Sequence, residues 1–169
     1  MSEYQHKLSG QQAKAITAGR LQREIAADLE TLFKNDRFQT PDGKQSAPKA
    51  YAQFLPRRES DEAEDPFPYL IVRVESGGVE SPAEPHEVVF TVIIGIYNDN
   101  PANNGHFEVL EIIERIQLHY AENPCLGAAV ANVPFHYALQ DEESYPYFIG
   151  ACSLTFHLPA PQPAWSDLT

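Results

Sequence analysis

The 169-residue chain predicts an α+β fold, with two helices packed on one face of an antiparallel four-stranded sheet in the order α-β-β-α-β-β. Apolar residues recur at helical spacing in two segments, and they alternate with period two in four others. Size agrees with one domain: a chain of this length buries roughly 70% of its unfolded surface, so it needs no disulfide or metal staple.

Residues 1–11 are polar and read as a flexible N-terminus ahead of a single domain, 12–158. From Gln12 to Asn35, Leu21, Ile25, Leu29, Leu32 and Phe33 form one apolar stripe, with Arg20, Arg23, Glu24, Asp28 and Glu30 on other faces. Segment 36–66 carries Pro41, Pro48, Pro56 and Pro66, the turn Pro41-Asp42-Gly43 and an acidic run from Asp61 to Asp65. About thirty residues is long for a connection inside a compact domain. It reads as a linker, as an arm ordered against a neighbour, or as a cover for its own sheet; Tyr51, Phe54 and Leu55 argue against a linker.

The period then changes. Tyr69–Val74 alternates Leu70, Val72 and Val74 against Tyr69, Ile71 and Arg73, which is a strand. Glu87–Tyr97 is a second strand, apolar on both faces, with Val88, Phe90, Val92, Ile94 and Ile96 on one and Val89, Ile93 and Tyr97 on the other. A strand of this kind must be covered twice, and one helix layer covers one face; a second molecule is the expected cover for the other. Asn98–Gly105 signals a turn and helix start. The second helix, His106–Glu122, presents Val109, Ile112, Ile113, Ile116 and Tyr120, and Asn123-Pro124 ends it. Strands at Val133–Leu139 and Tyr147–Leu158 close the domain, and residues 159–169 form a proline-rich tail ending past Trp165.

The charge is unevenly divided. Twelve basic and 24 acidic residues give a net charge of −12. Residues 1–60 hold ten basic and seven acidic residues, a net of +3; residues 61–169 hold only Arg73 and Arg115 against seventeen acids, a net of −15. An acidic body repels phosphate backbones and anionic membranes, so neither specific nucleic-acid binding nor membrane binding is expected. No run of residues is long and apolar enough for a spanning helix, and the N-terminus lacks the apolar core of a secretory signal, so a cytosolic origin is expected. Cys125 and Cys152 have no CxxC spacing and read as buried reduced thiols.

The sequence carries no motif with catalytic or metal-binding spacing. The six histidines show no metal-ligand spacing. Asn100–Glu111 resembles a calcium loop in its glycine and final glutamate, but Ala102 and Pro101 remove the oxygen ligands it needs. There is no GxSxG, GxGxxG or GxxxxGK[ST] motif, and the acidic clusters Asp61–Asp65 and Asp141–Glu143 lie in polar loops rather than shielded clefts. No catalytic residue, cofactor or metal is expected, and an assembly protein is the class that fits.

Four blocks carry a resemblance: Asp65-Pro-Phe-Pro-Tyr-Leu-Ile-Val-Arg-Val74; Val88–Tyr97 running into Asn98-Asp99-Asn100; Phe107–Ile116; and Phe148–Phe156. Together with residues 12–35 they resemble the tail-terminator or tail-completion proteins of long-tailed bacteriophages and prophages. The resemblance implies a six-membered ring that caps the tail tube, stops its polymerisation and joins it to the head connector. It further implies copies of the same chain, the tail-tube protein and the head–tail connector as partners, and a place in the virion tail after assembly in the bacterial cytoplasm, with DNA passing through the channel. Rival readings are a head-closure or other connector piece, a tail-tube subunit, or a small ligand-binding α+β domain. Expected contact residues between copies are Tyr51, Phe54, Arg57 and Arg58 on the arm, with Ile93 and Tyr97 on the second strand. In this reading the basic helix and arm grip the acidic body of a neighbour.

Overall fold

The computed structural model describes residues 17–63 and 66–160. The expected flexible segment 1–11, the start of the helix predicted from Gln12, and the tail from residue 161 lie outside them. Helix α1 spans Ala18–Leu32, and the Thr17 side chain caps it by accepting the Arg20 backbone N–H at 3.1 Å. A two-stranded hairpin follows, β1 (Phe38–Gln39) with β2 (Gln45–Ser46), turned at Gly43 in the left-handed region. The remaining elements are β3 (Lys49–Ala52), β4 (Tyr69–Gly78), β5 (His86–Tyr97), α2 (His106–Glu122), β6 (Cys125–Leu126), β7 (Ala129–Asn132), β8 (Tyr137–Leu139) and β9 (Tyr147–Leu158).

The architecture is α+β with two helices on a mostly antiparallel sheet, but the sheet has seven strands where four were expected. Three long central strands, β4-β5-β9, run antiparallel as their alternation predicts. The additional strands are short pieces at the edges. On one side β3 pairs with β4 in parallel, Tyr51 opposite Ile71. On the other, the hairpin β6-β7 and the separate strand β8 line up along β9. The predicted strand Val133–Leu139 is shortened to Tyr137–Leu139. Its first half is diverted because the Asn132 side chain accepts the Val133 N–H and Pro134 has no N–H to give a ladder. The 36–66 segment is neither a linker nor wholly an arm: through Ala52 it supplies a strand to its own sheet, and Gln53 is fastened to β4 at the Val72 carbonyl and the Val74 N–H.

Both helices cover the same sheet face. Leu21, Ile25 and Leu29 of α1 and Val109, Ile112, Ile113 and Ile116 of α2 join Leu70, Val72, Val88, Phe90, Val92, Ile94, Ile96, Leu154 and Phe156 in one core. The two cations of the acidic body have definite posts. Arg115 of α2 meets Asp36 at 2.6 Å and the Leu32 carbonyl at 3.3 Å, with its guanidinium 4.7 Å from the centre of the Phe33 ring. Arg73 of β4 lies 5.5 Å from the Phe54 ring centre. His119 of α2 also meets Asp28 of α1 at 2.8 Å. Within the subunit, Arg115 of the body is thus paired with Asp36 of the N-terminal segment.

Candidate functional site

The sheet face away from the helices is the candidate site. Register places Tyr51, Ile71, Ile93, Ala151 and Ala138 in one row across it, with Tyr69, Gly95 and Ile149 in the next. Alternation then puts Val89, Thr91, Ile93 and Tyr97 of β5 on this face, and all four are only half-buried, while their neighbours Val88, Phe90, Val92, Ile94 and Ile96 are fully buried against the helices.

Aromatic rings crowd one end of the face. Phe67 lies 4.9 Å from both Tyr69 and Tyr147, and Tyr97 lies 5.5 Å from Tyr147, with the rings tilted or edge-on rather than stacked. Tyr69 lies over Gly95, whose missing side chain makes the space: a Cβ there would overlap the ring. Lys49 extends over Tyr51, 5.7 Å from its ring centre. Nearby, the Tyr145 hydroxyl donates to the Asp99 carbonyl at 2.6 Å. Burial raises the Tyr69 phenol above the ordinary tyrosine range; Tyr97 is raised too, by partial desolvation and then by the negative charge of Asp99. Both phenols are therefore neutral hydrogen-bond donors throughout the physiological range.

Four of the six residues expected to make contacts meet around this face. Tyr51, Ile93 and Tyr97 lie on it, and Phe54, 67% exposed, stands over Arg73 at its edge. Arg57 and Arg58 lie in the exposed irregular stretch beyond Phe54. Sequence reasoning missed Phe67, Tyr69 and Tyr147. The signal for them was alternation: Tyr69 and Tyr147 fall on the same face as Ile71 and Ile149, opposite the core residues Leu70 and Phe148.

Elsewhere the chemistry is sparse. Among the described residues no group of three or more His, Cys, Asp or Glu side chains converges to hold a metal ion, and no helix is long and apolar enough to cross a membrane. A depression of about 360 Å³ between the start of α2 and the β8–β9 loop is lined by His106, Val109 and the loop residues Asp141, Glu142 and Glu143. These three acids are exposed, and Glu143 accepts a hydrogen bond from the Asn103 side-chain amide at 2.9 Å. Glu108, in the first turn of α2, is raised by burial, against the hydrogen bond from Asn98 that favours its charged form. Cys152 is buried and its thiol is pushed up to about 12 by that burial, so it is no nucleophile. Cys125, expected to be buried, is exposed because its edge strand has only two residues. No family model matches this chain, and no curated protein matches it.

Proposed function

We propose that this protein is a structural protein of a long-tailed phage or prophage, a tail terminator that assembles into a ring, hexameric by the resemblance. The ring caps the tail tube, stops its growth and offers a surface to the head connector. The observation that carries the proposal is the half-buried row that β5 and β9 present away from the helices, Val89, Ile93, Tyr97, Ile149 and Ala151, beside the buried Tyr69 and Ile71 of β4. A sheet of this composition, covered by helices on one side only, gains from a second molecule on the other, at about 25 cal/mol per Å² of apolar surface removed from water. Copies meeting through unlike surfaces close into rings, and the acidic body suits a channel through which DNA slides without phosphate contacts.

Negative-stain imaging of the purified protein, alone and mixed with tail tubes, tests the reading. Rings with a central hole, seated at tube ends, are expected. Long polymers formed unaided would make it a tube subunit instead, and a strict monomer that leaves tubes uncapped would overturn the assignment to the tail.

A further inference from the structure

The charges of the two helices are used unevenly inside the subunit. On α1 the acids are taken: Glu24 meets Arg20 at 3.2 Å, Asp28 meets His119 at 2.8 Å, and Glu30 accepts the Ala50 N–H at 2.9 Å. Arg23 and Ala27 of α1, with Lys34 in the turn after it, stay exposed. On α2 the one arginine, Arg115, turns to Asp36. Phe107, Glu111, Glu114 and Leu118 follow at steps of four, three and four, an exposed stripe opposite the buried core residues of α2. Phe107 is 63% exposed and Leu118 59%, the large apolar side chains that the described helices leave to water. Among the described residues, the side chains of Arg23, Lys34, Glu111 and Glu114 make no ion pair or hydrogen bond. One helix therefore turns cations outward, and its neighbour turns acids and apolar groups outward.

We propose that the helix layer is a self-contact of its own: the outward stripe of α2 in one copy packs on the outward face of α1 in a second copy. Helix α1 lies over β3 and β4, and α2 lies over β9 and β5, on one face of the sheet. A two-fold axis running along the helices and between them sets α1 on the partner's α2 and α2 on the partner's α1, so each contact is made twice. The stripes match in length, since Phe107 to Leu118 and Arg23 to Lys34 are both eleven residues, about 16 Å of helix. The aliphatic stems of Arg23 and Lys34 then cover Phe107 and Leu118, and their charged heads reach Glu111 and Glu114 between them. Ala27, at the middle of the α1 face, leaves room for the approach. The alternative arrangement, α1 on α1 and α2 on α2, sets like charges together and is disfavoured. Charge complementarity thus selects a second copy as the occupant. The contact uses the side of the sheet opposite to the ring reading and stands or falls separately from it.

The test uses three full-length chains, each carrying Ile93→Ser so that the open sheet face adds nothing to association. The first has no further change, the second adds Arg23→Glu and Lys34→Glu, and the third adds Glu111→Lys and Glu114→Lys. In sedimentation velocity the first should form a two-chain species whose affinity falls by roughly tenfold or more between about 0.05 and 0.5 M sodium chloride. The second and third, each alone, should associate at least roughly tenfold more weakly, because both of their contacts then join like charges. Mixed in equal amounts they should pair as well as the first chain does, since both contacts of the mixed pair join opposite charges. A first chain that stays monomeric at every concentration, or that pairs indifferently to salt, overturns the proposal without reference to any charge variant. So does a mixture that associates no better than its components.

Discussion

Strand β5 offers two faces made of nearly the same residues, and they have different fates. Val88, Phe90, Val92, Ile94 and Ile96 are fully buried under α1 and α2, whereas Val89, Thr91, Ile93 and Tyr97, one residue out of phase, stay half-buried. The first face is completed within the subunit, by aliphatic side chains from two helices. The second is closed in part by aromatic rings, Tyr69 over Gly95 and Phe67 against Tyr147, and otherwise stays half-buried. Apolar content shows that a face is to be buried; it does not show by which molecule.

Substitutions at adjacent residues separate the two faces. Ile94→Ala opens a cavity in the completed face and should lower unfolding free energy by about 2–5 kcal/mol in denaturant titrations. Gly95→Ala, aimed at the other face, should lower it by about 1–3 kcal/mol by forcing the Tyr69 ring aside, and a Gly95→Ala/Tyr69→Ala double variant should fall short of the sum of the two single losses. Arg115→Ala removes the partly exposed clamp on the end of α1 and should cost about 1–2 kcal/mol, with hydrogen exchange rising first at Leu29–Phe33. Ile93→Ser should cost the isolated subunit clearly less than Ile94→Ala, about 1 kcal/mol, since its side chain is only partly buried. The same change should raise the concentration for assembly at least tenfold, read by light scattering. If Ile93→Ser destabilised the subunit as much as Ile94→Ala, the distinction between the faces would be lost.

Where the period was long, it was legible. Helix α2 and strand β9 occupy the residues their apolar patterns indicate, 106–122 and 147–158, because each pattern repeats over several turns or pleats. Strand β3 was not legible: four residues between prolines show no period, and their parallel pairing to β4 is a tertiary choice. Strands β6 and β7 are two and four residues long and lie in an alanine-rich stretch that alternation cannot read. The candidate site was legible in part. Ile93 and Tyr97 followed from the two-faced strand, and Tyr51 and Phe54 from large apolar groups in a proline-rich segment. The cluster around Tyr147 was not, because it forms from residues 67 to 147 only when β4, β5 and β9 come into register. The charge division was legible as a count, but a count does not reveal that Arg115 meets Asp36 and that Arg73 lies beside Phe54 within the subunit.

The open face is proposed as an interface between copies of this chain. Native mass spectrometry across a concentration series, on the unmodified protein and on Ile93→Ser, tests it most directly. A closed oligomer, six times the 18.9 kDa subunit by the resemblance, is expected, dissociating at concentrations at least tenfold higher in the variant. A single species of subunit mass at every concentration, or an oligomer indifferent to Ile93→Ser, would contradict it.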